Sequence, residues 1–266
     1  MHTHEHTPPA PPAPSGSSGS SGSAPGAELL PTFIDQRYAW YDDEAHDVWR
    51  ILFERRMATL RDTGSEVFLR GMERIGLAAD RVPDINDVNR RLAVTTGWAA
   101  VGVSGFIPPA QFFRCLAHRR FPTTLIVRPR EQLDYLPEPD IFHDVFGHVP
   151  LHSHPQFADF LQQFGALAAL ARSEDETMAM ARLFWFTVEF GLIRERGDVK
   201  IYGSGLISSH ADAANALSDR CERRPFDLDA VLAQPFEIDR LQDVLFVIDS
   251  FDELFDAVRR LARGRA

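Results

Sequence analysis

His143 and His148 stand five residues apart within PEPDIFHDVFGHVP, which runs from Pro137 to Pro150. Imidazole is the commonest protein metal ligand, so two in one short segment form a candidate pair. On an unbroken α-helix each residue turns about 100°, which puts this pair about 140° apart on different faces. Gly147 and Pro150 flank His148. Gly commonly ends helices and Pro cannot continue one. The expectation is therefore His143 on a helix and His148 just past its end, with the turn of the chain bringing both rings to one point. The spacing differs from His-Glu-x-x-His, which sets two ligands on one helical face. Alone, the pair is weak evidence, and two structural histidines at an apolar helix end are the favoured reading.

A carboxylate joins them from further along. ARLFWFTVEFGLI (181–193) is apolar on nearly every side, which predicts a buried helix with Glu189 in its middle. A buried carboxylate is costly unless it is paired or ligates a metal. Arg182, Arg194 and Arg196 are the candidate ion-pair partners. Two His and one carboxylate with open positions make the facial triad of non-haem iron(II) oxygenases. The same donors hold catalytic zinc and its bound water, so a zinc hydrolase stays open on ligand identity.

A packed scaffold must position these groups. Apolar residues make up 44% of the 266-residue chain and Phe occurs 20 times, enough for a sizeable core. Trp49, Leu52, Phe53, Met57 and Leu60 recur at helical spacing within 44–60. Further helices are expected at 65–75 before Gly76, 84–93 after Asp84, 109–120, 139–146, 155–171 and 175–193. Strands are expected at 123–128 and 243–248, and Ser250 with Glu253 makes a capping box for a last helix. The sum is mainly α with a few short β-strands. Residues 1–30 carry PPAPPAP and SGSSGSSGSAPG, a low-complexity tail ahead of a domain at 31–266.

Three stretches, PEPDIFHDVFGHVPL (137–151), FWFTVEFGL (184–192) and YGSGLISS (202–209), closely resemble the biopterin-dependent aromatic amino acid hydroxylases in order and spacing. Looser similarity runs from about 40 to 262. The resemblance implies a single catalytic domain with Fe(II) at the base of a cleft. It also implies tetrahydropterin as co-substrate, supplying two electrons as O2 hydroxylates an aromatic amino acid. His143, His148 and Glu189 match the iron ligands. Arg128 matches an arginine that clamps the substrate carboxylate, a task suited to two parallel guanidinium N–H groups. Pro139 and Trp185 match residues of the substrate-ring pocket, and Ser208 a serine near ligands and substrate. Phe112 matches a phenylalanine that stacks on the pterin, and Gly105, Phe106 and Ile107 match the loop bonding the pterin edge. Asp144 matches an acidic residue that contacts pterin through water.

Departures from the animal pattern fall around substrate and pterin: Leu136 for threonine, Phe184 for tyrosine, Asp144 for glutamate, and Pro108-Pro109 for a serine pair. Ile238 aligns loosely where phenylalanine-specific members carry an aliphatic residue, and an apolar group leaves a substrate hydroxyl unsatisfied. L-Phenylalanine giving L-tyrosine is the expected reaction, with tryptophan the nearest rival. The chain is similar to the short bacterial type, without a regulatory domain or an oligomerisation helix, which implies a monomer.

Net charge of −10 argues against nucleic-acid and anionic-membrane partners. Two cysteines, no signal-like start and no long apolar run suit a cytoplasmic protein.

Overall fold

The computed structural model describes residues 30–105, 107–134 and 138–264. The tail reading lies outside these except for its last residue, and so does Phe106. Among the described residues the fold is mainly helical with two small sheets.

Helix α1 (Asp43–Thr63) starts where the Asp42 side chain accepts the Ala45 N–H at 2.9 Å. Its buried stripe is Val48, Trp49, Leu52, Arg56 and Leu60, whereas Phe53 and Met57 are half-buried. Helix α2 (Glu66–Ile75) is capped by Ser65 and ends at Gly76, whose φ of 71° suits glycine. Helix α3 (Ile85–Thr95) is capped by Asp84 as expected.

Strand β1 (Ala99–Val103), helix α4 (Pro109–Ala117) and strand β2 (Arg120–Thr124) form a parallel crossover unit. The strand expected at 123–128 thus begins and ends earlier. Its length is set by β1, whose last residue, Val103, pairs with Thr124. Helix α4 stops short of 120 because the chain turns at Arg119, which takes a φ of 55°.

The second sheet has the order β4-β3-β6-β5, from β3 (Leu192–Glu195), β4 (Asp198–Ile201), β5 (Glu222–Pro225) and β6 (Val244–Ile248). Arg196 and Gly197 both have positive φ, the twist a two-residue hairpin needs between β3 and β4. The long helix expected at 175–193 is instead α7 (Glu174–Phe184), a wider turn, and then β3. A Cβ at Gly191 would lie 2.1 Å from the Tyr202 ring and 2.2 Å from the Thr187 carbonyl oxygen, so only glycine permits the turn there.

Helices α5 (Val149–His152), α6 (Pro155–Ala168), α8 (Ser204–Ser208), α9 (His210–Ala216), α10 (Leu228–Ala233) and α11 (Phe251–Arg263) complete the fold. The capping box of Ser250 and Glu253 is present at the start of α11. An aromatic cluster ties α1 to the histidine segment: Phe142 and Phe146 stack at 4.5 Å, and Trp49 meets Phe142 edge-on at 5.3 Å.

Candidate metal centre

His143 and His148 lie on one helical segment, π1 (Phe142–His148), wound as a π-helix with i→i+5 hydrogen bonds. This corrects the expectation of a helix end between them. The wider winding lays residues five apart over one another, so both imidazoles share a face without a break. The chain continues from π1 directly into α5 through Gly147 and Pro150. Pro150 brings no N–H, and a proline ring crowds the carbonyl four residues back, a clash that widening the preceding turn relieves. Gly147 serves close approach: a Cβ there would lie 3.0 Å from the Ser204 carbonyl oxygen on α8.

A second wide turn, π2 (Trp185–Glu189), extends α7 and ends at Glu189, which is therefore terminal and not central in its helix. The three arginines face elsewhere. Arg182 donates to the Leu232 carbonyl, Arg194 pairs with Asp249 and Arg196 with Glu66. Glu189 instead faces the histidines, with Oε1 3.1 Å from His148 Nε2 and Oε2 3.7 Å from His143 Nε2. The two Nε2 atoms are 3.3 Å apart, and all three ligand atoms lie within 4.8 Å of one another.

Hydrogen bonds fix how these groups present their lone pairs. Ser208 Oγ donates to the Ser204 carbonyl at 2.9 Å, which uses its only proton. The 2.9 Å contact between His143 Nδ1 and Ser208 Oγ is then an Nδ1–H donating to the hydroxyl. A neutral His143 therefore carries its lone pair on Nε2, aimed at the other two ligands. Ser204 Oγ donates to Glu189 Oε2 at 2.7 Å. In the metal-free protein, burial pushes the Glu189 carboxyl up, while positive charge on His148 and His143 and hydrogen bonds from His148 and Ser204 hold it down, at about 2; a bound cation would take the place of the histidine protons. The carboxyl is ionised at neutral pH, as a ligand must be. Three lone-pair donors converging on one point are what a cation neutralises, and two imidazoles with one carboxylate fit iron.

Aromatic rings wall the centre. Phe121 lies 4.5 Å from the His148 ring and Phe184 stacks on it at 6.4 Å. Phe112 meets Phe184 edge-on at 5.4 Å, so the expected pterin platform joins the histidine through one ring. Asp144 is buried, with Oδ2 accepting both the N–H and the hydroxyl of Thr124 at 2.7 Å. Burial raises its pKa, against the pull of His143 and Thr124.

Asp140 was silent in the sequence, yet the structure makes it the hub between Arg128 and the ligand helix. It is fully buried and grips Arg128 through two 2.9 Å bonds, Nε to Oδ2 and Nη2 to Oδ1. It also accepts the backbone N–H of Arg128 at 3.2 Å and that of His143 at 3.0 Å. Its one sequence signal is the cap-like spacing, an Asp three residues before His143. Ser204 was missed too, because only the folded chain sets its hydroxyl against Glu189.

Trp185 opens π2 and is held between Phe190 and Phe236, each 4.6 Å away. Pro139 and Gly105 are exposed and Ile107 half-buried; among the described residues these three take no part in the hydrogen bonds around the ligands. Ile238, on the segment between α10 and β6, is 78% exposed and forms no packed wall.

A family model described as biopterin-dependent aromatic amino acid hydroxylase matches residues 36–264. The phenylalanine-4-hydroxylase of Chromobacterium violaceum is 44% identical over 229 residues, covering 86% of this chain and 76% of that protein. A crystal structure of C. violaceum phenylalanine hydroxylase with bound iron(III) and the oxidised cofactor 7,8-dihydrobiopterin superposes with a TM-score of 0.83. It is 43% identical and covers 87% of this chain and 85% of that one. Phenylalanine hydroxylase from Legionella pneumophila gives a TM-score of 0.81 at 35% identity, over 88% of this chain and 95% of that one.

Proposed function

We propose, from the premise that this chain belongs to the biopterin-dependent aromatic amino acid hydroxylases, that it converts L-phenylalanine to L-tyrosine with O2, tetrahydropterin and Fe(II). The observation that carries the reading is the meeting of His143, His148 and Glu189 from two separate helices. When bound, iron and tetrahydropterin supply O2 activation and two electrons, with one oxygen atom going to the substrate ring and the other leaving with the pterin.

The chain's residues bind, orient and exclude water. His143, His148 and Glu189 hold the metal, and the hydrogen bonds of Ser208 and Ser204 fix two of them in orientation. Arg128, locked by Asp140, presents its remaining N–H groups to the substrate carboxylate. Trp185, kept flat by Phe190 and Phe236, lines the ring pocket with Pro139, beside Ser208. Phe112 stacks the pterin, Gly105, Phe106 and Ile107 meet its edge, and Asp144 orders water beside it. Phe121 and Phe184 keep bulk water from His148. The catalytic unit spans 31–266 and works as a monomer in the cytoplasm, a reducing compartment that the two free buried cysteines suit. Among the described residues no helix is long and apolar enough to cross a membrane.

The test is anaerobic loading with Fe(II), then addition of tetrahydropterin, O2 and each aromatic amino acid in turn, with the product identified. Tyrosine formed from phenylalanine in step with pterin oxidation is expected. Metal-dependent hydrolysis without pterin-dependent O2 uptake would overturn the reading.

A further inference from the structure

Arg56 is the charged member of the buried stripe of α1, four residues from Leu52 on one side and from Leu60 on the other. It is 3% exposed, and among the described residues it forms no ion pair. Burial lowers its pKa to about 10, so it stays charged at neutral pH. A buried guanidinium is costly unless its donors are used.

Its donors go to α8. Nε donates to the Ile207 carbonyl at 2.6 Å and Nη2 to the Leu206 carbonyl at 3.0 Å. Nη1 lies 3.3 Å from Thr59 Oγ1 and 3.4 Å from His210 Nδ1. Leu206 and Ile207 lie in the last turn of α8, where carbonyls lack partners within the helix. An apolar residue at 56 would continue the stripe but leave both carbonyls unpaired.

Helix α8 has five residues, too few to hold its own position. It carries Ser204 at one end and Ser208 at the other, the two hydroxyls that bond Glu189 and His143. A planar fork fixes direction as well as distance, which a point charge does not. We propose that Arg56 is a positioning residue for the metal centre: its fork clamps the end of α8 and so keeps Ser204 and Ser208 where they orient Glu189 and His143 for ligation. The inference rests on the metal centre described above.

Anaerobic titration of the metal-free protein with Fe(II), and with Co(II), whose absorption bands report ligand geometry, tests it in the wild type, Arg56→Gln and Arg56→Lys. Arg56→Gln is expected to bind both metals about 10-fold more weakly or worse, as when groups that orient metal ligands are lost, with altered Co(II) bands. Arg56→Lys reaches one carbonyl and is expected to fall between. A purely structural Arg56 would lower the melting temperature and leave the affinity and bands of the folded protein at wild-type values, and that result overturns the proposal. If Arg56→Gln does not fold, Arg56→Lys decides by the same readouts, wild-type values again overturning it. A wild-type chain that takes up neither metal overturns the centre itself, an outcome distinct from a variant that binds normally.

Discussion

Replacing Asp140 with Asn changes one oxygen to an amide in a fully buried group that accepts four N–H donors. Oδ2 takes the Arg128 N–H and Nε–H, and Oδ1 takes Arg128 Nη2–H and the His143 N–H. Whichever way the amide is turned, its NH2 faces two of these donors. Two hydrogen bonds are lost, at least one of them to a guanidinium, and a 10%-exposed Arg128 loses its counter-charge. Breaking one side of a buried pair costs about 3–5 kcal/mol. Residual solvent at Arg128 places the expected loss near the low end, about 3 kcal/mol, or a fall of about 6–12 °C in Tm at this chain length. A freed Arg128 should also raise KM for phenylalanine while KM for the pterin holds. Thermal melts of the metal-free protein and steady-state kinetics check both. A melting temperature within about 2 °C of wild type together with an unchanged KM for phenylalanine refutes the hub role of Asp140.

His143→Ala should abolish turnover and metal uptake with helical circular dichroism retained, and unchanged turnover removes His143 from the ligand set. Gly203→Ala would place a Cβ 2.3 Å from Gly191 N and 2.5 Å from the Glu189 carbonyl oxygen, both backbone atoms. Overpacking of this kind costs about 1–3 kcal/mol, and a neutral effect in denaturant melts would show the contact can relax. His152 is stacked on Trp98 and, among the described residues, has no partner for either ring nitrogen; burial, then the His148 charge, hold its pKa well below 6.5. A histidine kept neutral in the fold leaves the unfolded chain to take up the proton first, so its contribution is full above 6.5 and is lost as pH falls below that value. The slope is up to about 1.4 kcal/mol per pH unit, and His152→Leu should flatten it between about pH 7.5 and pH 5.5 in denaturant melts. Parallel curves for both proteins would contradict this.

Elements fixed by local chemistry were legible in the sequence. The caps at Asp84 and at Ser250 with Glu253, and the stop at Gly76, act within a few residues, and the helices they bound stand where expected. Strands β1, β3, β4 and β5 were not anticipated, because each has four or five residues and exists through a distant partner. The candidate trio of His143, His148 and Glu189, which the fold brings together, could be picked out by residue type, but the winding that joins His143 to His148 could not. An α-helical wheel separates them, and only π1 reunites them. Arg56 left a trace that was readable in principle, a charge on the 48-52-56-60 line of α1, although its purpose needed α8 in place.

A π turn is an α turn that has swallowed one residue. The metal centre is therefore built where two helices, π1 and π2, each carry such a surplus. Remove one residue between His143 and His148, and ordinary winding would again set both imidazoles on one side, now four apart. By winding alone the shortened segment would keep its rings on one face but would restore the crowding of Pro150 on the carbonyl four residues back, whereas a deletion in the regular coil of α1 would swing Arg56 away from α8.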